Sequence, residues 1–74
     1  MRKRRFKDQK LQLAYERGLA DGKSWSKGSG NGARFWKGYD MVKNGIVLDA
    51  YPRGTPAYAY WAAGQDVARS EANA

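Results

Sequence analysis

Side chains that bind phosphate are concentrated in the first half of this 74-residue chain. Six of the first ten residues are Lys or Arg, and residues 1–43 hold twelve such cations against four Asp and Glu. Residues 44–74 hold two cations against three acids. Because each cation that contacts a phosphate releases condensed counterions, this asymmetry predicts binding to a polyanion. The alternative is a basic tail that only aids solubility.

A second group of residues interleaves basic and aromatic side chains. This interleaved group consists of Lys23, Trp25, Lys27, Arg34, Trp36 and Lys37. Exposed aromatic rings stack on unpaired bases while Lys and Arg hold phosphates, so the pattern is typical of RNA contact. Trp36 directly follows Phe35, so the two rings cannot face the same core. Either Trp36 contacts a partner, or it covers the junction with the third helix.

A third candidate is the turn Tyr51-Pro52-Arg53-Gly54. Its aromatic and basic side chains flank a tight turn, which suits contact with an RNA loop. The alternative interpretation is a simple connecting turn.

The residue types exclude most catalytic and metal chemistry. The chain has no Cys and no His, which removes thiolate chemistry, the commonest metal ligand and the commonest general base. The glycine-rich stretch 28–32 lacks the Gly-Lys-Ser/Thr ending of a phosphate-binding P-loop. We therefore expect no enzyme activity, no metal and no cofactor.

Three helices account for most of the chain. Helix formers dominate residues 11–22, an aromatic stripe marks residues 33–44, and Thr55-Pro56 supplies an N-cap and a first-turn proline for residues 56–70. Residues 1–10 are expected to form a flexible basic arm, and residues 23–32 a flexible loop. The sequence thus predicts a single all-α domain over residues 1–74, a small bundle of about three helices.

Two expectations concern the core. On the first helix Phe6, Leu13, Ala14 and Arg17 fall on one stripe, with Leu11, Tyr15, Gly18 and Gly22 beside it. The apolar run Ile46-Val47-Leu48 is expected to cross the core toward the turn at Pro52.

An internal repeat relates the second and third helices. Residues 33–43 and 59–69 share the pattern Ala-x-aromatic-x-x-Gly-x-Asp-apolar-x-basic, and Tyr15, Gly18, Asp21 and Lys23 form a weaker copy. Residues three apart share a helix face, so an aromatic ring of one helix could fill the notch at a glycine of its neighbour. The pattern favours packing, with a binding role for these aromatics as the alternative.

Several short motifs, taken in their order along the chain, resemble motifs of the ribosome modulation factor family. The basic start, followed by Arg17-Gly18 and then Gly22, is similar to that family's first helix. Tyr51-Pro52 followed by Trp61-x-x-Gly64 is similar to its Cys-Pro-Tyr turn and Trp-x-x-Gly-Trp helix, although the Cys is missing here. Trp36-x-Gly38-Tyr39 is a second, looser match to that helix.

The resemblance implies contact with small-subunit ribosomal RNA near the messenger exit region, and promotion of inactive ribosome dimers in stationary phase. The additional repeat weighs against the dimerisation activity. The contacts that the resemblance implies are Arg2, Lys3, Arg4, Arg5 and Arg17, with Tyr51 and Arg53 at the turn. Together with the charge pattern, the predicted nucleic-acid contacts are Arg2, Lys3, Arg4, Arg5, Lys7, Lys10, Arg17, Lys23, Trp25, Lys27, Arg34, Trp36, Lys37, Tyr51 and Arg53.

The sequence therefore predicts a small basic RNA-binding protein, with ribosome association and regulation of translation as the form that the resemblance implies. Alternatives are a DNA-binding accessory protein, or a small inhibitor from a mobile element that binds a host protein through Trp25, Trp36 and Tyr58. No apolar run reaches the ~18 residues of a membrane span, so we expect a cytoplasmic protein without a membrane partner. Replacing the cations of residues 2–5 by Ala is expected to abolish a salt-dependent affinity.

Overall fold

Three helices follow one another along the chain in a computed structural model that describes residues 3–73. Helix α1 spans Gln9–Asp21, α2 spans Gly30–Lys43 and α3 spans Pro56–Ala72, with one 3-10 turn at Gly22–Ser24. Residues 3–73 contain no strand, which confirms the predicted all-α class. None of the described helices is long and apolar enough to cross a membrane.

Local sequence signals set several helix ends where they were predicted. The Thr55 hydroxyl accepts the Tyr58 backbone N–H at 3.2 Å, and Pro56 takes the first helical position of α3. Helix α2 ends at Lys43 with Asn44 as its C-cap, and Gly45 follows with a φ of +72°, in the left-handed region that glycine adopts without strain.

Other boundaries differ from the prediction. Helix α1 already begins at Gln9, because the Asp8 carboxylate accepts the Lys10 backbone N–H at 2.8 Å and caps the first turn. Helix α2 begins at Gly30, within the stretch predicted to be a flexible loop. The preceding segment folds back so closely that a methyl group at Gly32 would overlap the Ser26 carbonyl oxygen. Tertiary packing thus overrides the low helix propensity of these glycines.

Helix α3 is the central element, because both α1 and α2 pack against it. It is buried on nearly all sides along residues 59–66, and much of this stretch consists of alanine. Small side chains let the two flanking helices approach it closely.

The repeated aromatic residues form the centre of the core. Tyr15, Phe35 and Trp61, one from each helix, are the largest fully buried side chains. Gly38 of α2 lies against the Trp61 carbonyl of α3, while Gly64 of α3 lies against the Phe35 carbonyl of α2, so the repeats cross reciprocally. The repeat thus serves packing, but the expectation that an aromatic ring fills each notch is wrong at Gly38 and Gly64, where a backbone carbonyl lies instead.

Two expectations about the core are wrong. Leu13 is 61% exposed, because the buried face of α1 runs through Leu11, Ala14, Tyr15 and Gly18 instead. The run Ile46-Val47-Leu48 does not cross the core: these side chains are 43%, 88% and 71% exposed. Alanines and aromatics of α3 already fill the space between α1 and α2, so no room remains for this run.

Candidate nucleic-acid interface

Arg4, predicted to contact nucleic acid, is bound within the protein. Its Nε and Nη2 donate to the two carboxylate oxygens of Asp66 at 3.1 Å each, and Nη2 also donates to the Gln65 amide oxygen at 2.9 Å. Asp66 is 7% exposed and Gln65 is 5% exposed. A two-pronged, charge-assisted contact of this kind fixes the guanidinium in one orientation. Arg4 therefore holds the N-terminal segment on α3.

Tyr15 completes this buried polar cluster. Its hydroxyl donates to Asp66 at 2.6 Å and accepts the Arg4 backbone N–H at 2.9 Å. Burial, reinforced by the hydrogen bond to Asp66, raises the pKa of Tyr15 to about 12. On the exposed side of the cluster, Arg69 donates to Asp66 at 3.2 Å. The cluster joins the N-terminal segment, α1 and α3 through one carboxylate.

The segment after Arg4 is ordered as well, rather than the flexible arm that was expected. The Phe6 backbone N–H donates to the Gln12 side chain at 2.7 Å, and the Phe6 ring lies 5.3 Å from the Tyr15 ring. Arg4 and Phe6 thus face the bundle, whereas Arg5 and Lys7 between and after them are exposed. Lys3 is exposed too, and Arg2 lies outside the described residues.

Exposed cations line a series of adjoining grooves on the α1 side of the bundle. Arg5, Lys7 and Arg53 line one groove together with Phe6 and Tyr58. The acid in this groove, Asp8, caps α1. We call the five cations of these grooves, Arg5, Lys7, Lys10, Arg17 and Arg53, the basic track.

The second groove of the track is lined by residues close in the chain to those of the first, since Lys10 precedes Leu11 and Pro56 follows Gly54 by two residues. Lys10 and Arg17 line it with Leu13 and Pro56. Arg17 also borders a third, polar groove that contains Trp25. Four of the five cations of the track, all except Arg53, form no ion pair within residues 3–73.

Lysines near α2 are in a different situation, because each contacts a group of the protein itself. Lys27 lies 4.8 Å from the Trp36 ring centre, and Lys37 lies 5.8 Å from that of Tyr51. Lys23 and Lys43 both pair with Glu71, and both lie over the Tyr39 ring. The hydrogen bond from Lys23 lowers the pKa of Glu71, and the same bond raises the pKa of Lys23. These lysines are thus partly satisfied within the protein.

The aromatic residues of the interleaved group are half-buried. Trp25 packs edge-on against Phe35 and Tyr60, with ring centres 6.1 and 5.6 Å away. The Trp36 indole N–H donates to the Trp25 carbonyl oxygen at 2.8 Å. Phe35 is fully buried and Trp36 is partly exposed, as their adjacency predicted. Trp36 fastens the loop to α2, while part of its ring stays accessible. Arg34, the remaining member of the group, is half-buried.

Tyr51 and Arg53, the two candidate contact residues of the turn, have different surroundings. Arg53 is exposed, pairs with Asp49 at 3.1 Å and belongs to the basic track. Tyr51 is half-buried and lies under Lys37. The turn therefore does not present both side chains to one surface.

Sequence reasoning missed the polar side of α3. Gln65, Asp66 and Arg69 were assigned to packing or left out, yet Gln65 and Arg69 line a cleft beside Arg4 and Arg53, and Asp66 binds Arg4. The available signal was the adjacent polar pair Gln65-Asp66 in a helix otherwise rich in alanine and aromatics. A buried carboxylate requires a cationic or hydrogen-bonding partner, which here is Arg4.

Within residues 3–73, no three acidic side chains lie close enough to hold a metal ion. Searches against protein-family models, curated proteins and solved structures find no match to this chain.

Proposed function

We propose that this protein binds RNA through phosphate contacts along the basic track. One observation carries the proposal: Arg5, Lys7, Lys10 and Arg17 are exposed, line two grooves on the α1 side in pairs and form no ion pair within residues 3–73. Cations without an intramolecular partner gain most from meeting a phosphate, because no existing ion pair has to be broken.

The grooves favour RNA with unpaired bases over duplex DNA. Each groove combines cations with apolar or aromatic walls: Phe6 and Tyr58 in the first, Leu13 and Tyr60 in the second, Trp25 in the third. Unpaired bases present faces that stack on such walls, whereas the bases of a duplex are stacked on one another. Phosphates and bases of a single strand can thus be held together.

The finer proposal is that the RNA is ribosomal and that the protein modulates translation in the cytoplasm. Its support is the resemblance to the ribosome modulation factor family, carried by Arg17-Gly18, Gly22, Tyr51-Pro52 and Trp61-x-x-Gly64. Arg5, Arg17 and Arg53 belong both to the contacts that the resemblance implies and to the basic track.

Two measurements test the proposal. In the first, a single-stranded RNA is titrated with the protein over a series of salt concentrations, with duplex DNA as competitor. We expect affinity to fall steeply with salt and duplex DNA to compete poorly. Affinity that is independent of salt would contradict phosphate binding, and efficient displacement by the duplex would indicate a DNA-binding protein.

The second measurement tests the finer proposal alone. Lysate containing the tagged protein is separated on a sucrose gradient, with and without nuclease treatment. Co-migration with ribosomal particles is expected if the RNA is ribosomal. Migration with free protein only, despite binding to RNA in the first measurement, would remove the ribosomal assignment and leave RNA binding in place.

A further inference from the structure

A cleft on the other side of Arg53 has features that the basic track does not use. It lies between the segment after α2 and the polar side of α3, and we call it the arginine cleft. Its volume is about 420 Å³, within the range of small-ligand sites. The lining residues are Arg4, Val47, Leu48, Asp49, Arg53, Tyr58, Trp61, Gln65 and Arg69.

One wall of the arginine cleft is aliphatic and open to water. Val47 is 88% exposed, and the adjacent Leu48 is 71% exposed. Adjacent exposed aliphatic side chains gain free energy when a partner removes them from water. The Tyr58 and Trp61 rings, with centres 5.3 Å apart, also line the cleft. These walls suit a flat apolar group.

The charges around the cleft suit an anion. Arg53 and Arg69 are both exposed cations at its rim, and the three arginines that line it face two acids, Asp49 of the lining and the buried Asp66. Arg4 donates to Asp66 through two nitrogens. Arg53 donates to Asp49 through Nε alone and Arg69 donates to Asp66 through Nη1 alone, so each has further N–H groups that an external anion can accept. A flat apolar group joined to an anion describes a nucleotide.

The arginine cleft continues directly into the basic track. Arg53 and Tyr58 line both the cleft and the groove that contains Arg5 and Lys7. A phosphate at Arg53 would therefore belong to a strand that follows the track, with the next base beside Val47 and Leu48. An acidic peptide would satisfy the charges, but this continuity favours the strand.

We propose that the arginine cleft receives one unpaired base of the bound RNA, against Val47, Leu48 and Tyr58, with Arg53 and Arg69 on its phosphate. This inference rests on the proposed function and adds to it a defined site for a single nucleotide. A base held there would contribute affinity that a ribose-phosphate chain without bases lacks.

The test compares two probes of equal length: an unstructured RNA of mixed sequence, and an abasic ribose-phosphate chain. We expect the wild-type protein to bind the RNA about fivefold or more tightly than the abasic chain, in the range of one stacked base. The double variant Val47→Ala/Leu48→Ala should lose the share of this preference that the cleft supplies, about threefold or more, and keep its affinity for the abasic chain, because its charges are unchanged. Ile46→Ala, the exposed aliphatic neighbour that lines neither the cleft nor the grooves of the track, is the matched control and should change neither affinity.

Each other outcome overturns the inference. If the double variant keeps the preference for bases, the base does not occupy this cleft. If both probes bind wild type equally and with the same salt dependence, RNA binding along the track stands and the base site fails. If neither probe binds, the proposed function itself fails. Binding of a Glu–Leu copolymer that the double variant loses, with an unchanged base preference, would assign the cleft to an acidic peptide.

Discussion

Arg4 and Arg5 are neighbours in the chain with opposite surroundings. The Arg4 guanidinium donates to buried Asp66 and Gln65, whereas Arg5 is exposed and lines a groove of the basic track. Alternation of an extended segment directs one side chain inward and the next outward. A run of basic residues is therefore not uniformly available to a polyanion, and composition alone does not distinguish its members.

Arg4→Ala should destabilise the protein by about 2 kcal/mol, because it removes charge-assisted hydrogen bonds to a buried carboxylate. The neighbouring variant Arg5→Ala is the control, and its free energy of unfolding should change by no more than about 0.5 kcal/mol. Urea denaturation followed by circular dichroism measures both values.

RNA affinity should show the reverse order at a temperature where both variants are folded. Arg5→Ala weakens binding, and folded Arg4→Ala retains it. An Arg4→Ala variant that is as stable as wild type and loses RNA affinity would show that Arg4 contacts RNA after all.

Tyr15 should ionise near pH 12 in the folded protein, because burial and the bond to Asp66 disfavour its phenolate. The ordinary pKa of tyrosine is 10.0. Since the folded-state pKa is the higher one, the stabilisation by Tyr15 is complete below pH 10 and is lost as the pH rises through about 12. The loss is on the order of 3 kcal/mol.

Ultraviolet titration of the phenolate absorbance measures this pKa. Tyr15→Phe should remove the transition near pH 12 and leave the remaining tyrosine absorbance unchanged. A transition near pH 12 that persists in Tyr15→Phe would refute the assignment.

At the scale of elements, the aromatic-x-x-Gly repeat explains how α2 and α3 cross. The backbone carbonyl of each helix's aromatic residue lies directly against the glycine of the other helix. The two pairs are Trp61 with Gly38 and Phe35 with Gly64. The glycine of the weaker copy on α1 is Gly18, and it also lies close to α3, since a methyl group at Gly18 would meet the Ala63 Cβ at 2.7 Å. The glycines are thus sites of close backbone approach, and their cost in helix propensity is offset by packing.

Gly38→Ala and Gly64→Ala should each destabilise the fold by about 3 kcal/mol or more, because the added methyl group would overlap a carbonyl oxygen that cannot move independently of its helix. Gly28→Ala is the control: its methyl group meets only the Ser26 hydroxyl at 3.6 Å. Thermal unfolding should give a melting temperature near wild type for Gly28→Ala and a much lower one for the other two. Equal melting temperatures for all three would contradict the close crossing.

Elements with local signals were predictable, and those set by distant contacts were not. Thr55-Pro56 and Asn44-Gly45 fix helix ends through their own backbone and side chains, so sequence alone located them. The start of α2 at Gly30 depends on how closely residues 25–26 fold back on Gly32, and the exposure of Ile46–Leu48 depends on α3 filling the core. Arg5, Lys7 and Arg53 were recognised from the sequence as candidate contacts because they are cations. Only the structure shows that they line one groove, and that Arg4 binds Asp66 and is therefore not a candidate contact.

The whole molecule distributes its positive charge unevenly. Beside α2, Lys23 and Lys43 pair with Glu71, and Lys27 and Lys37 lie over aromatic rings. On the α1 side, Arg5, Lys7, Lys10 and Arg17 are exposed and unpaired within residues 3–73. The formal net charge of +7 is therefore less informative about binding than the location of the unpaired cations, which lie on the α1 side.

The central claim is that the basic track, and not net charge alone, binds RNA. The most direct test compares the salt dependence of RNA affinity for two variants that each lose four positive charges. One is Arg5→Ala/Lys7→Ala/Lys10→Ala/Arg17→Ala, and the other is Lys23→Ala/Lys27→Ala/Lys37→Ala/Lys43→Ala.

Four lost phosphate contacts reduce the slope of log affinity against log salt by about 3 for a single strand. We predict this reduction for the track variant, and a reduction of less than about 1 for the α2-side variant. Equal reductions for the two variants, or a larger one for the α2-side variant, would contradict the account.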